Sequence, residues 1–414
     1  MDKLASSRRE SSLWLLIPLI AFPQIAETIY TPSLPDMARA FLTSTRWVNL
    51  SLSVYFCGFA LGVFFFGSLC DRMGRRPAMM LGLLLYTLAS GCCTFAPSIG
   101  FLLAFRIIQG IGASVGSVVS TTIMRDLYTG TRRSQVFSIV SAVLALSPAV
   151  GPLLGGLIDE YFGFRANLGA LFGLGFILLV ASSKFLNESQ SLESTDLQEK
   201  SGVFSVMKRM ICDAFIWKTV VVISVCNGIL FSFYGEAPHI FQGVLGYSPS
   251  EYGRIGFAVA LSSVIGAVLS HRLVKKFSST FIVNLGVLLT VLGSFVFLGT
   301  ASFGWIRAES GIGALVAIMF PMFFILVGFG LIIPNTLSVA LKSYQDQLGF
   351  AGACLGLMYY AIIALLTDGI SLLHDGSVLV MPRYFVVISL AMFLVTLVPS
   401  SLQSIRANHQ ETAA

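Results

Sequence analysis

Charge is what this sequence has least of. Aspartate, glutamate, lysine and arginine together make up 11% of the 414 residues, against 56% hydrophobic residues, and the mean hydropathy is +0.85. Soluble domains carry about 25% charged residues, so a soluble globular fold is excluded. The seven cysteines (Cys57, Cys70, Cys92, Cys93, Cys212, Cys226, Cys354) form no C-x-x-C pair and fall mostly inside or at the ends of apolar runs. They read as small packing residues and imply neither a disulfide framework nor a metal centre. Nucleotide-binding loops, metal-ligand clusters and nucleophile constellations are missing too, so the sequence offers no enzyme and calls for no cofactor.

What is present is a series of long apolar runs. A helix crossing roughly 30 Å of hydrocarbon needs about 20 apolar residues. On that window the chain holds twelve candidate spans, near residues 14–34, 48–70, 78–96, 99–124, 135–158, 166–186, 215–242, 252–270, 280–301, 311–340, 350–373 and 383–402. The expected fold is therefore an all-α membrane protein. The first run carries Pro23 and Glu27, lacks a small-residue cleavage pattern and is followed by eleven more, so it reads as a span and not as a secretory signal.

A net charge of +6 raises the possibility of nucleic acid, but the placement of the basic residues argues otherwise. With the N-terminus taken as cytoplasmic, inner loops and tails hold 19 of the 26 lysines and arginines, outer loops hold 6, and Arg106 lies within a span. That is the positive-inside bias, which makes both termini cytoplasmic and anionic lipid headgroups the neighbours of the charge. The longest polar interruption, near 187–213, divides the chain into an N-terminal tail (1–13), a six-helix half (14–186), a linker (187–214), a second six-helix half (215–402) and a C-terminal tail (403–414). Within the linker, Val203 to Ile216 mixes apolar residues with Lys208 and Arg209, as in a helix lying on the inner membrane face; a solvated linker fits equally. Two similar halves with a site between them are a common plan of secondary transporters. Here the echo in residues is faint: Glu27 precedes Pro32, Glu236 precedes Pro238, and His271-Arg272-Leu273-Val274-Lys275-Lys276 weakly repeats an earlier basic loop.

That earlier loop is Gly67-Ser68-Leu69-Cys70-Asp71-Arg72-Met73-Gly74-Arg75-Arg76-Pro77. An acid, three arginines and spaced glycines between nearly uncharged segments must lie at a membrane surface. The pattern resembles the signature between the second and third spans of the major facilitator superfamily of transporters, and Gly67, Asp71, Arg72, Gly74, Arg75 and Arg76 match its defining positions. The resemblance implies a gate and no binding site: Asp71 caps or pairs with a neighbouring helix terminus and with Arg75, latching the inner side. Arg125-Asp126 and Arg132-Arg133 either join that network or serve as topology-setting surface charge. Two further motifs agree. Arg106-Ile107-Ile108-Gln109-Gly110-Ile111-Gly112 resembles the superfamily's fourth-span motif, whose arginine is implicated in proton coupling, and Ser147-Pro148-Ala149-Val150-Gly151-Pro152-Leu153-Leu154-Gly155-Gly156 resembles its antiporter motif. In the latter, Gly151, Gly155 and Gly156 permit close helix approach while Pro148 and Pro152 bend the helix, which suits a seam between moving halves.

Ionisable groups inside spans cost about 2.5–3.5 kcal/mol each and ask for a reason. The clear cases are Glu27, Arg106, Glu236 and Asp368, each roughly 8–10 Å from the outer end of its span at 1.5 Å per residue. At a shared depth they can face one water-filled cavity. A fixed cation favours an ionised acid nearby, and Glu27 is the expected partner of Arg106; the alternative is an arginine capped by carbonyls that simply anchors its helix. The segment Tyr30-Thr31-Pro32-Ser33-Leu34-Pro35 resembles the opening span of the Bcr/CflA-type drug:proton antiporters, which have an aspartate where this chain has Thr28. The acid here lies one residue earlier, about 100° around the helix. Glu236 stands three residues before His239 on the same helical face, which gives either a proton relay or substrate contact, or a solvated helix-end pair. Asp368 is open to the same two readings, and the later His374-Asp375 pair is expected in an exposed loop. Tyr30, Gln109, Tyr234, Asn227 and Asn335 are expected cavity-lining residues, with Tyr55, Tyr359 and Tyr360 as further hydroxyl-bearing aromatics.

The resemblance implies a proton-coupled exporter of small amphipathic compounds such as drugs, acting as a monomer in the bacterial inner membrane with substrate, protons and lipids as its partners and no nucleic acid. The alternatives are transport of a siderophore or other metabolite, or a non-transporting membrane sensor.

Overall fold

A computed structural model describes residues 2–189, 203–307, 309 and 311–398, and all the regular structure among them is helical. The long helices are α1 (Asp2–Thr28), α2 (Thr45–Met73), α3 (Arg75–Thr94), α4 (Ile99–Leu127), α5 (Gly130–Phe162), α6 (Phe164–Phe185), α7 (Ala214–Pro238), α8 (Pro249–Leu273), α9 (Ser279–Ser302), α10 (Ile312–Ala340), α11 (Leu348–Leu373) and α12 (Val380–Leu397). Among the described residues, eleven helices are long and apolar enough to cross a membrane; α5 is the long helix outside that set.

Each expected span overlaps one of these helices, though 14–34 runs past the end of α1 and 215–242 past the end of α7. Helix α1 begins at Asp2, so the expected tail 1–13 is largely a continuation of the first helix. The last helix stops at Leu397, short of the expected 402, and the expected tail 403–414 lies outside the described residues, as does 190–202 of the linker. Within the expected linker the chain forms a short helix, Val203–Ile211. Val206 and Met210, one turn apart, pack into a cluster with Ile216, Val220, Ala351 and Leu355 at the facing ends of α7 and α11.

Proline and glycine set the breaks that matter. After Thr28 the chain leaves α1 through a 3-10 turn at Thr31–Ser33 and resumes as a short helix, Leu34–Ala40. Pro32 and Pro35 have no N–H to offer; Pro32 lies in the 3-10 turn and Pro35 in the first turn of the short helix, where that N–H would have no helical partner. Gly74, at φ +98, is the single residue between α2 and α3, a conformation that side-chain-bearing residues rarely adopt. Helices α1–α6 pack mainly among themselves, as do α7–α12; the two sets meet where α2 lies along α11 and α5 along α8.

Candidate functional site

Arg106, presented by α4, is one of the largest fully buried side chains. Its Nη1 donates to Gln109 Oε1, and its Nε reaches the Ser51 carbonyl at 3.4 Å. The guanidinium carbon sits 4.3 Å from the Tyr30 ring centroid and 4.4 Å from that of Tyr55, so the cation is held between two aromatic faces. Each neighbour is fixed in turn. Gln109 Nε2 donates to Ser90 Oγ at 2.7 Å, Ser51 Oγ donates to Tyr30 OH at 3.1 Å, and Tyr55 OH donates to the Pro23 carbonyl at 3.3 Å. The motif glycines make this possible: a Cβ at Gly110 would strike the Tyr55 carbonyl, and one at Gly112 would lie 2.5 Å from Tyr86 N. They let α4 press against α2 and α3 and carry Arg106 inward.

Glu27 is buried. It lies within electrostatic reach of Arg106, of Tyr55, and of Tyr359 and Tyr360 on α11. The neighbouring Thr28 turns the other way, towards α5, where its hydroxyl occupies the space a Cβ on Gly151 would need. The one-residue displacement of the acid therefore leaves it facing the junction of the two helix sets. Aromatic rings from both sets line that junction, with centroids 4.4 Å apart for Phe56 and Phe231, 4.6 Å for Phe59 and Tyr360 and 4.5 Å for Tyr359 and Tyr360. An acid, a fixed cation and phenolic hydroxyls within an aromatic wall can hold a proton or an amphipathic molecule.

Glu236 belongs to a second cluster. Its Oε1 accepts from Asn49 Nδ2 at 2.9 Å, and its Oε2 pairs with His374 Nδ1 at 2.8 Å. His239 Nε2 lies 3.3 Å from Asn49 Oδ1. Two sequence expectations are corrected. Glu236 does not pair directly with His239, because the π-helical turn His239–Val244 follows immediately and the Asn49 carboxamide comes between them. His374 is half-buried and bound to Glu236, not exposed in a loop. The carboxylate hydrogen-bonded to His374 holds its imidazole above the ordinary value, against the opposing effect of partial burial.

The remaining predicted residues disperse. Tyr234 is buried beside Phe231 and Phe233. Asn227 Nδ2 donates to Ile223 O of its own helix at 2.9 Å. Asn335 Nδ2 donates to Ser270 Oγ at 2.7 Å and so ties α10 to α8. Asp368 is partly exposed, within electrostatic reach of Cys57 on α2 and Tyr384 on α12.

In the basic loop, Arg75 is the hub. Its Nη1 lies 3.2 Å from Asp71 and donates to Cys70 O at 2.9 Å, while its Nε reaches Asp126 at 3.0 Å. Glu188 accepts from the backbone N–H of Arg75 at 2.9 Å and of Arg76 at 3.1 Å, capping α3. Arg76 Nη2 donates to Ser183 O at 2.9 Å. Gly67 packs on Ala353 of α11, and Arg72 is exposed. In α5, Gly155 abuts the Ile29 carbonyl and Gly156 the Pro249 carbonyl, while Gly253 of α8 closes on the Pro152 carbonyl. Sequence reasoning missed Asn49, Glu188 and Gly253. Asn49 and Glu188 sit close to helix ends, where a polar residue attracts no notice. Gly253 forms a three-residue spacing with Gly256, a signal of close packing that could have been read.

Comparison with known proteins agrees with this architecture. The sequence profile described as Major Facilitator Superfamily matches residues 16–367. The chain belongs to the major facilitator superfamily. It is 33% identical to an uncharacterized transporter of Rickettsia bellii over 91% of this chain and 94% of that one. It is 29% identical to a chloramphenicol resistance protein of Pseudomonas aeruginosa, covering 84% and 81% of the two chains. Among solved structures, the xylose transporter XylE from E. coli in a partially occluded inward-open conformation superposes with a TM-score of 0.72 at 14% identity, over 95% of this chain and 98% of that one. As a member of the major facilitator superfamily the protein is a multi-pass membrane transporter of small molecules and not an enzyme.

Proposed function

We propose that the protein is a proton-coupled exporter of small amphipathic compounds such as drugs, working by alternating access in the bacterial inner membrane. In this reading twelve helices span the membrane, both termini are cytoplasmic, the Arg75 loop faces the cytoplasm, and the transporter acts as a monomer. The observation that carries the reading is the fully buried Arg106, held between Tyr30 and Tyr55 with Glu27 within its field at the junction of the two helix sets. Protonation of Glu27 beside that permanent cation changes the charge of the chamber by one unit. Substrate and proton then compete for one chamber. Inward proton flow contributes about 2.3 kcal/mol per 100 mV of membrane potential. The similarity to a chloramphenicol resistance protein supports a drug-like substrate.

The test is substrate-induced pH change in inverted vesicles, with cationic drugs and anionic chelators compared as substrates. Wild type is expected to release protons on drug addition and Glu27→Gln to lose that signal. Undiminished coupling in Glu27→Gln overturns the mechanism, and a response to chelators alone overturns the substrate class.

A further inference from the structure

One buried acid takes no part in the Arg106 chamber. Asp159, in the last turn of α5, is 4% exposed, and both of its carboxylate oxygens are without a hydrogen-bond partner. The basic residue within its electrostatic reach, Arg39, is already paired with Asp36. A carboxylate buried with neither a hydrogen bond nor a counter-ion is strongly disfavoured, so its charge asks to be neutralised.

The surroundings are rich in oxygen. Asn167, near the start of α6, is fully buried, and its Oδ1 is unpartnered as well. Its Nδ2 donates to Ser33 Oγ at 2.7 Å and to Gly155 O at 2.9 Å. Those two bonds fix the carboxamide against α5 one turn before Asp159. A helical side chain leans towards the N-terminus, over the residue four before it, so the Asp159 carboxylate is carried over Gly155, where the carboxamide sits. Gly155 has no side chain to come between them. Ser33, fully buried in the 3-10 turn after α1, lies within reach of the same carboxylate. Three segments distant in sequence thus bring Asp159, Asn167 and Ser33 to one spot.

We propose that Asp159, Asn167 and Ser33 form a binding site for an alkali-metal cation such as sodium. The donor set selects the ligand, since carboxylate, carboxamide and hydroxyl oxygens are the partners of hard cations. A proton on Asp159 gives one new donor and can serve one of the remaining acceptors, whereas a cation takes all the unpartnered oxygens together. Water can satisfy the oxygens but leaves the charge buried. The charge selects a monovalent ion. Asp159 contributes one negative charge and Arg39 balances Asp36, so a divalent ion would leave an uncompensated positive charge in a buried place. The ion would tie the turn after α1 to the end of α5 and the start of α6, all within the first helix set. The site shares no residue with the Glu27–Arg106 chamber.

The experiment uses the full chain in lipid nanodiscs at about pH 7.5, above the carboxylate range. Choline chloride is replaced stepwise by sodium or potassium chloride at constant ionic strength, so that screening does not change. The thermal midpoint is followed, and equilibrium binding of radioactive sodium is measured in parallel. Wild type is expected to bind about one sodium per chain and to gain thermal midpoint as sodium or potassium rises through its dissociation constant. Asp159→Asn is expected to lose both responses. Because that substitution removes a buried charge, its midpoint in choline is expected to equal or exceed that of wild type, which a misfolded variant cannot imitate. Asp36→Asn, where the acid is part of a surface pair, is expected to keep sodium binding within about fivefold of wild type. Glu27→Gln is expected to keep it fully. A wild type indifferent to sodium and potassium, or an Asp159→Asn protein that still binds sodium, overturns the site. Sodium binding lost in Glu27→Gln and kept in Asp159→Asn places the ion in the chamber and also overturns it. A wild type that ignores both ions and is stabilised by acid instead assigns a proton to Asp159, again against the proposal.

Discussion

The two ends of the bundle are held together by different means. At the Arg75 end, the charged network of Arg75, Asp71, Asp126 and Glu188 joins α2, α3, α4 and the residues after α6, all from the first helix set. At the Glu236 end, polar bonds cross from one set to the other through Asn49–Glu236, Gln242–Pro32 and Glu160–Ser248. The ion pairs of the basic loop thus brace a single set, whereas polar bonds at the other end bind the sets to each other. A loop whose pairs lie within one set can move as part of a rigid body. An end whose pairs lie between sets must break them in order to open.

The seam between α5 and α8 offers the sharpest way to break this arrangement. A side chain at Gly156 would enter the backbone of Pro249 and Ser250, and overpacking of that kind costs about 1–3 kcal/mol, with more where backbone must shift. Gly156→Leu is expected to abolish efflux and lower the yield of monodisperse protein on size-exclusion chromatography. Gly173→Leu, where a Cβ meets nothing within 4 Å, is the matched control and should change neither. A smaller effect is expected from Asn49→Leu, which leaves Glu236 Oε1 and His239 without their partner. Buried groups left unpaired cost about 1–3 kcal/mol, visible as a lower thermal midpoint in nanodiscs. The smallest is expected from Arg75→Ala. Its carboxylate partners are partly exposed, with side-chain exposures of 39% for Asp71 and 27% for Asp126, and screened pairs of this sort are worth about 1 kcal/mol or less. The loss of thermal midpoint should shrink further at high salt, since the pairs are already weakened there.

The fold was legible because desolvation leaves little choice. Long apolar runs with few charges can only be helices that satisfy their own backbone, and glycines that looked like packing residues in the sequence lie at helix crossings, with Gly110 on α2 and Gly156 on α8. Glu27 and Arg106 were legible for a related reason, since a charge in an apolar run stands out and must be matched. What escaped was pairing over long sequence separations. Glu236 is surrounded by Asn49, 187 residues away, and His374, 138 residues away. Its neighbour three residues on, the obvious helical partner, is reached only through the Asn49 carboxamide. Asn49 is neutral, and His374 lies just past the end of α11, so neither carries the penalty that makes an intramembrane charge visible in a sequence. The break after Thr28 falls inside the expected span 14–34, and the way it turns Glu27 to the junction and Thr28 to α5 depends on how α1 packs against α5.

The joining of the two helix sets at the Glu236 end is read most directly at Thr31, which is fully buried in the 3-10 turn against α7 and α8. With Thr31→Cys as the target and Cys57 and Cys212 replaced by serine, the rate of maleimide labelling reports how often that end opens. Asn49→Leu is expected to raise the rate by about tenfold, the factor that corresponds to about 1.4 kcal/mol of lost pairing, and Arg75→Ala to leave it nearly unchanged. Equal acceleration by Arg75→Ala, or none by Asn49→Leu, would mean that the sets are not held together at the Glu236 end.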